Sequence, residues 1–180
     1  MNTLSYGLLG LLARASRSGY ELMQYIQPFW QAKHSQIYPL LAKMEQEGYV
    51  THEVVLQSDK PDKKVYSITS KGSDKLKIWI NEPTTEPVLR DEMMLKAYSL
   101  WLTDPESAVR LFSSRAQMYA DKLAYYENLM QGLKERESET SYLSPASPAF
   151  GRYILLQKAL DNSKNGQNWC EWVLSMLKNG

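Results

Sequence analysis

The chain has 180 residues, a length that suits one large domain or two small ones, and its 43% hydrophobic and 23% charged content excludes a disordered chain. Residues 1–80 carry ten Lys and Arg against seven Asp and Glu, and residues 81–180 carry eleven against thirteen, so a net charge of +1 hides a mildly basic first half and any nucleic-acid reading must rest on local clusters. The single cysteine, Cys170, rules out an internal disulfide and points to a reducing, cytoplasmic setting, while the apolar run near the N-terminus is too short for a membrane span and has no basic stretch before it.

In chain order, Leu4, Leu8, Leu11 and Leu12 recur at helical spacing and predict a first amphipathic helix, which ends in the polar run Arg14 to Arg17. Ser18 is placed to cap a second helix over 19–26, and Glu21, three residues on, completes a capping box. Leu22, Tyr25 and Ile26 form its inner face, and Pro28 limits it because proline has no N–H to extend the ladder. In a third helix Ile37, Leu40, Leu41 and Met44 stand at i, i+3, i+4 and i+7, Pro39 falls near or just beyond the first turn, and Gly48 is the stop. The β-branched run 49–56 reads as a strand, 57–63 as a turn, and 64–69 as the returning strand of a hairpin. A helix over 70–80 follows, with Leu76, Trp79 and Ile80 expected inward.

Residues 81–87, with two prolines and no apolar side chain, mark a linker, and the expected domains are 1–81 and 88–180. Beyond it everything reads as helix. Met93, Met94, Ala97, Tyr98 and Trp101 form one segment, and Asp104-Pro105-Glu106 starts the next. There Phe112, Ala116, Tyr119, Leu123, Tyr126, Met130 and Leu133 step alternately by four and three, the 3.5-residue period of a coiled-coil seam. Such a seam needs a partner: either a second copy of the chain or another helix of the same subunit. The serine- and proline-rich stretch 141–148 ends it, and a last helix carries Phe150, Tyr153, Ile154, Leu160, Trp169, Trp172, Val173, Met176 and Leu177, with Gly166 a point of interruption.

The expected fold class is therefore mainly α: an N-terminal winged helix-turn-helix with a two-stranded β-hairpin wing, then a C-terminal α-helical dimerisation domain containing a coiled-coil-like helix. Three short helices and a hairpin suit DNA, because a helix fits the major groove and its N-terminal residues meet base edges. The tip of the third helix carries Lys33, His34, Ser35, Gln36 and Tyr38, donors in front of a greasy back. Gln36 suits an adenine, Ser35 a base or phosphate, Lys33 and Tyr38 phosphates. Ser18 and Tyr20 stand at the start of the preceding helix, and Lys60, Lys63 and Lys64 on the wing suit neighbouring backbone or the minor groove. A polar helix start and a lysine-rich turn are also ordinary solvated surface, and winged helices serve as protein-interaction modules too, so that reading stands beside DNA binding.

The segments 18–22, 34–41, 44–50 and 65–72 resemble the PadR family of bacterial transcriptional regulators, as do 91–98 and 147–153 in the second half, so the likeness spans nearly the whole chain. Phe29 to Gln36 is the most specific shared segment, and it is most similar in members that respond to phenolic acids. The resemblance implies a repressor that binds double-stranded operator DNA as a homodimer held by its C-terminal helices, with Phe112, Tyr119, Leu123, Tyr126, Met130 and Leu133 as dimerisation residues. It also implies a small aromatic acid effector bound where the domains join. For this, Trp30, Met93, Tyr98 and Tyr126 are candidate walls, Arg152 the carboxylate donor, and Tyr153 or Tyr98 the phenol contact. By composition alone these aromatic and methionine side chains read as plain core, and a PadR-like regulator of a drug-efflux or stress gene with a different ligand is the alternative.

Catalysis, a cofactor and a metal are not expected. There is no phosphate loop or nucleophile motif, and His34, His52 and Cys170 do not make an ordinary zinc site. Asp91-Glu92 reads as a helix start, Cys170 as a buried structural thiol, and His52 as an exposed strand residue.

Overall fold

The computed structural model describes residues 1–56, 62–88 and 90–179. The chain divides into two compact units, Met1–Glu86 and Pro87–Gly180.

In the first unit, α1 (Thr3–Arg14) starts on Asn2, whose side-chain oxygen accepts from the Ser5 backbone N–H at 2.9 Å, and it buries Leu4, Leu8, Leu9 and Leu12. β1 (Arg17–Ser18) runs straight into α2 (Gly19–Ile26), so Ser18 is both the last strand residue and the helix cap. α3 (His34–Gln46) buries Ile37, Leu41 and Met44 against this core. Its end is a Schellman motif: the Tyr49 N–H donates to the Met44 carbonyl at 2.8 Å and the Gly48 N–H to the Glu45 carbonyl at 2.9 Å, with Gly48 at φ 75°, where a glycine carries no Cβ penalty. β2 (Val50–Val55) and β3 (Lys63–Ile68) form the hairpin, Val50 opposite Ile68 and Val55 opposite Lys63. α4 (Ser70–Ile80) starts on Thr69 and lays Trp79 flat against Tyr6 of α1, ring centroids 4.6 Å apart.

Two expectations change here. The sheet has three strands in the order β1-β3-β2, with Arg17 opposite Tyr66 and Ser18 opposite Val65; two residues are too short to show the alternation that betrays a strand. Ile80 faces outward, 65% exposed, because α4 ends there, one residue past the contact that Trp79 makes with α1.

The second unit is helical. α5 (Glu92–Tyr98) begins on Asp91 and is followed by a 3-10 turn, Leu100–Leu102. α6 (Pro105–Arg136) has Asp104 as cap, accepting from the Ser107 N–H at 2.8 Å, and proline in its first turn. A short α7 (Glu139–Tyr142) leads to α8 (Pro148–Asn179), which runs unbroken through Gly166. That glycine is a contact rather than an interruption: a Cβ there would lie 2.5 Å from the Tyr119 ring, so the ring of α6 rests on the bare backbone of α8. Phe112 meets Trp169 edge-on at 5.4 Å, and the two contacts together show α6 and α8 running antiparallel.

The seam is therefore filled in cis. Phe112, Met130 and Leu133 are buried within one protomer, Tyr119 lies on Gly166, and Leu123 and Tyr126 are half-buried. Within the chain, α8 is long enough to cover α6 along this face, since each has 32 residues, about 48 Å at 1.5 Å per residue. The core at one end joins Met93, Phe112 and Cys170, with Ala97, Leu100, Trp169, Val173 and Leu177 packed on it. Among the described residues no helix is long and apolar enough to cross a membrane.

Candidate nucleic-acid interface

The first unit presents α3 by clamping both of its ends. The connection from α2 is compact: the Gln27 side chain donates to the Ala32 carbonyl at 2.5 Å, and Ala32 is buried. His34, Ser35 and Gln36 then open α3 as an exposed tip with no acidic residue in the first turn, so the partial positive charge of the helix N-terminus is not cancelled there. Lys33 is the cap residue, exposed, and its backbone N–H donates to Gln36 Oε1 at 2.9 Å. Pro39 lies five residues into α3 and offers no N–H to the Ser35 carbonyl.

Rings line the outer edge where α2 and α3 meet. Tyr20, His34 and Tyr38 stack in a row, with centroids 6.2 and 6.0 Å apart, so α2 and α3 share one aromatic edge. The Tyr38 ring crosses Gly19, where a Cβ would meet it at 2.7 Å. Tyr20 is 53% and Tyr38 44% exposed, so both keep an open edge outward.

Ser18 is placed differently from the expectation. It is buried, and its hydroxyl is committed: it accepts from the Glu21 N–H at 3.3 Å and donates to Glu21 Oε2 at 2.5 Å, while the Ser18 N–H donates to the same oxygen at 2.8 Å. These bonds make it the cap that positions α2. These bonds from Ser18, helped by the Lys63 ammonium at 3.3 Å, hold the Glu21 carboxyl at about 2. Lys63 is thus a tie between the wing and α2, half-exposed beside Glu21. Lys64, next along β3, is exposed, and Lys60 lies outside the described residues.

Several supporting residues carried no sequence signal. His52 is half-buried, not exposed: its Nδ1 bonds the Glu45 carboxylate and its ring tilts against Tyr66, joining α3 to the wing. Arg17 lays its guanidinium over the Tyr25 ring at 3.9 Å. Such pairs join residues of different elements, so the periodicity of any one element does not reveal them.

The effector candidates do not gather into one pocket within a unit. Trp30 belongs to the first unit and is 48% exposed. In the second, Met93 is core, packed with Phe112 near the start of α6, whereas Tyr153 meets Tyr142 at 5.2 Å beyond the end of α6. Tyr98 is 87% exposed, and Tyr126 and Arg152 are half-buried. The length of α6 keeps the two groups apart. An open hollow of about 590 Å³ is lined by Ser114, Gln117, Met118, Asp121, Lys122 and Tyr125 and includes none of the six. Asp91 accepts from the Met93 N–H at 3.0 Å and pairs with Arg115, which accounts for it as a helix cap. Burial raises the Cys170 thiol above its ordinary range. Among the described residues no three His, Cys, Asp or Glu side chains gather as a metal site.

Residues 8–78 match the model of the transcriptional regulator PadR-like family, and residues 89–178 match that of the virulence activator alpha C-terminal region. The chain is 37% identical to the negative transcriptional regulator PadR of Bacillus subtilis, covering 98% of each chain, and 28% identical to a probable transcriptional regulator of Mycobacterium tuberculosis, covering 97% of each. Among solved structures it is similar to Bacillus subtilis PadR in complex with operator DNA, with a TM-score of 0.81 and 36% identity over 98% of this chain and 99% of that one. It is also similar to the same protein in complex with p-coumaric acid, with a TM-score of 0.76 and 33% identity over the same shares.

Proposed function

The chain belongs to the PadR-like family of transcriptional regulators, and from that premise we propose that it is a dimeric repressor that reads operator DNA with the N-terminal turn of α3 and releases it when a small aromatic acid binds. The observation that carries the reading is the exposed, acid-free tip His34-Ser35-Gln36, flanked by the Tyr20–His34–Tyr38 stack. Lys33 and Tyr38 meet phosphates beside it, and Lys64 meets the backbone from the wing. Binding of duplex DNA that is both sequence-selective and steeply weakened by salt tests this. A protein-interaction module shows neither.

The second copy docks on the apolar surface that α6 and α8 leave uncovered. Leu95, Tyr98, Trp101 and Leu102 are 69–87% exposed within eight residues, and Trp172 and Met176 of α8 are 60% exposed beside side chains of the same core. An exposed apolar patch of this kind marks an interaction site. A second copy suits it, because a two-fold pair of α3 helices matches a pseudo-palindromic operator.

The aromatic acid binds through Arg152 and Tyr153, adjacent on α8, with the Tyr142 ring beside Tyr153. The solved complex of the Bacillus subtilis relative with p-coumaric acid supports this ligand class. p-Coumarate or ferulate should release the wild-type protein from DNA, and Arg152→Ala should need at least tenfold more ligand for the same release, as loss of a charge-assisted bond implies. Release of the variant at wild-type ligand levels removes Arg152 from the site.

A further inference from the structure

The bond at the start of α3 determines which end of the Gln36 amide faces outward. The Lys33 N–H donates to that side chain at 2.9 Å, and since a backbone N–H is only a donor, the atom it meets is the carbonyl oxygen. Lysine has no side-chain acceptor, so the cap is one-sided and Gln36 alone holds it. The other end of the amide is the NH₂ group; Gln36 is exposed, and among the described residues no hydrogen bond engages that nitrogen.

We infer that Gln36 is a specificity-determining residue that reads DNA as a donor only, its oxygen kept on the helix cap and its NH₂ aimed at an acceptor on a base edge. This rests on the proposed function, in which α3 enters the major groove. An uncapped glutamine bonds adenine through both ends, oxygen to N6 and nitrogen to N7. With its oxygen on Lys33, Gln36 makes only the second of those bonds. A donor-only contact accepts guanine (N7 and O6), adenine (N7) or thymine (O4), and rejects cytosine, whose major-groove edge offers a donor. The contact therefore excludes one base instead of selecting one.

The test starts from the full-length protein and an operator obtained by selection from randomised duplexes. At the base position where Gln36→Ala relaxes the preference, adenine is replaced by 7-deazaadenine, which lacks N7, or by purine, which lacks the N6 amino group. Loss of N7 should weaken wild-type binding about two- to tenfold, the range of one hydrogen bond, and loss of N6 should leave it unchanged. Gln36→Glu keeps an acceptor for the Lys33 N–H and suits the helix dipole, so it should melt at or above the wild-type temperature while losing the discrimination against cytosine. Equal losses on removing N7 and N6 overturn the inference in favour of bidentate reading. So does a Gln36→Glu protein that ranks the four bases as the wild type does. Wild-type protein that selects no sequence at all overturns the proposed function itself, a result distinct from either.

Discussion

Ser18 and Glu21 show how much of the first unit is settled by two side chains bonded to each other. Four amide groups at the start of any helix lack partners, and at α2 the Ser18 hydroxyl satisfies that of Glu21 while the Glu21 carboxylate turns back to the Ser18 N–H. Ser18→Ala should cost about 1 kcal/mol, seen as a melting temperature about 2–4 °C lower; an unchanged melting curve would show that the cap is dispensable. The Glu21 carboxyl sits at about 2 in the folded protein against 4.5 ordinarily, so its stabilisation is complete above about pH 4.5 and is lost as pH falls toward 2. The stability gap between wild type and Glu21→Gln in urea should therefore be widest near neutrality and close between those two pH values. A gap constant with pH would locate the effect in packing. The box was legible in the sequence because its two members stand three residues apart and precede an apolar face. The tie from Glu21 to Lys63 was not, because the two meet only after the hairpin folds back, and Lys63 reads in isolation as a free cation of the wing.

At the scale of elements, period predicts a seam but not the owner of the helix that fills it. The 3.5-residue step from Phe112 to Leu133 is real, and the structure fills it with α8 of the same chain. Gly166 misled for a related reason: inside a helix a glycine costs about 1 kcal/mol and suggests a break, but here it makes room for Tyr119. Gly166→Ala would ordinarily favour the helix. In this position the Cβ falls 2.5–2.7 Å from three ring atoms, and the ring must move as a whole. The substitution should destabilise by about 1–3 kcal/mol, and combining it with Tyr119→Leu should cost much less than the two changes summed, because the second removes what the first collides with. Additive losses in chemical denaturation would show that the two residues do not meet. α1 to α4, α6, α8 and the hairpin were legible from local signals, since each is bounded by a cap, a glycine or a proline; β1, the short α7 and the outward Ile80 were not.

For the whole molecule, the net charge says little and its arrangement says more. Phosphate contacts set the salt dependence of binding, so Lys64→Ala should weaken binding on every sequence alike and lower the slope of log affinity against log salt by about 1 per half-site. The dimer carries the larger effect. In the proposed complex one α3 contacts one half-site, and pairing two copies makes the second contact intramolecular, worth about 10²–10⁴ in affinity without a new bond. The surface proposed for pairing is Leu95, Tyr98, Trp101 and Leu102, exposed apolar side chains that the protomer itself leaves uncovered. Trp101→Glu places a charge there without entering the core, since Trp101 is 80% exposed, so the protomer should keep its helical content. Sedimentation should then give a monomer, and the variant should bind a one-half-site duplex and a two-half-site duplex with nearly equal affinity. The wild type should prefer the second by at least a hundredfold. A Trp101→Glu protein that still sediments as a dimer and still prefers two half-sites would move the pairing surface elsewhere on the chain.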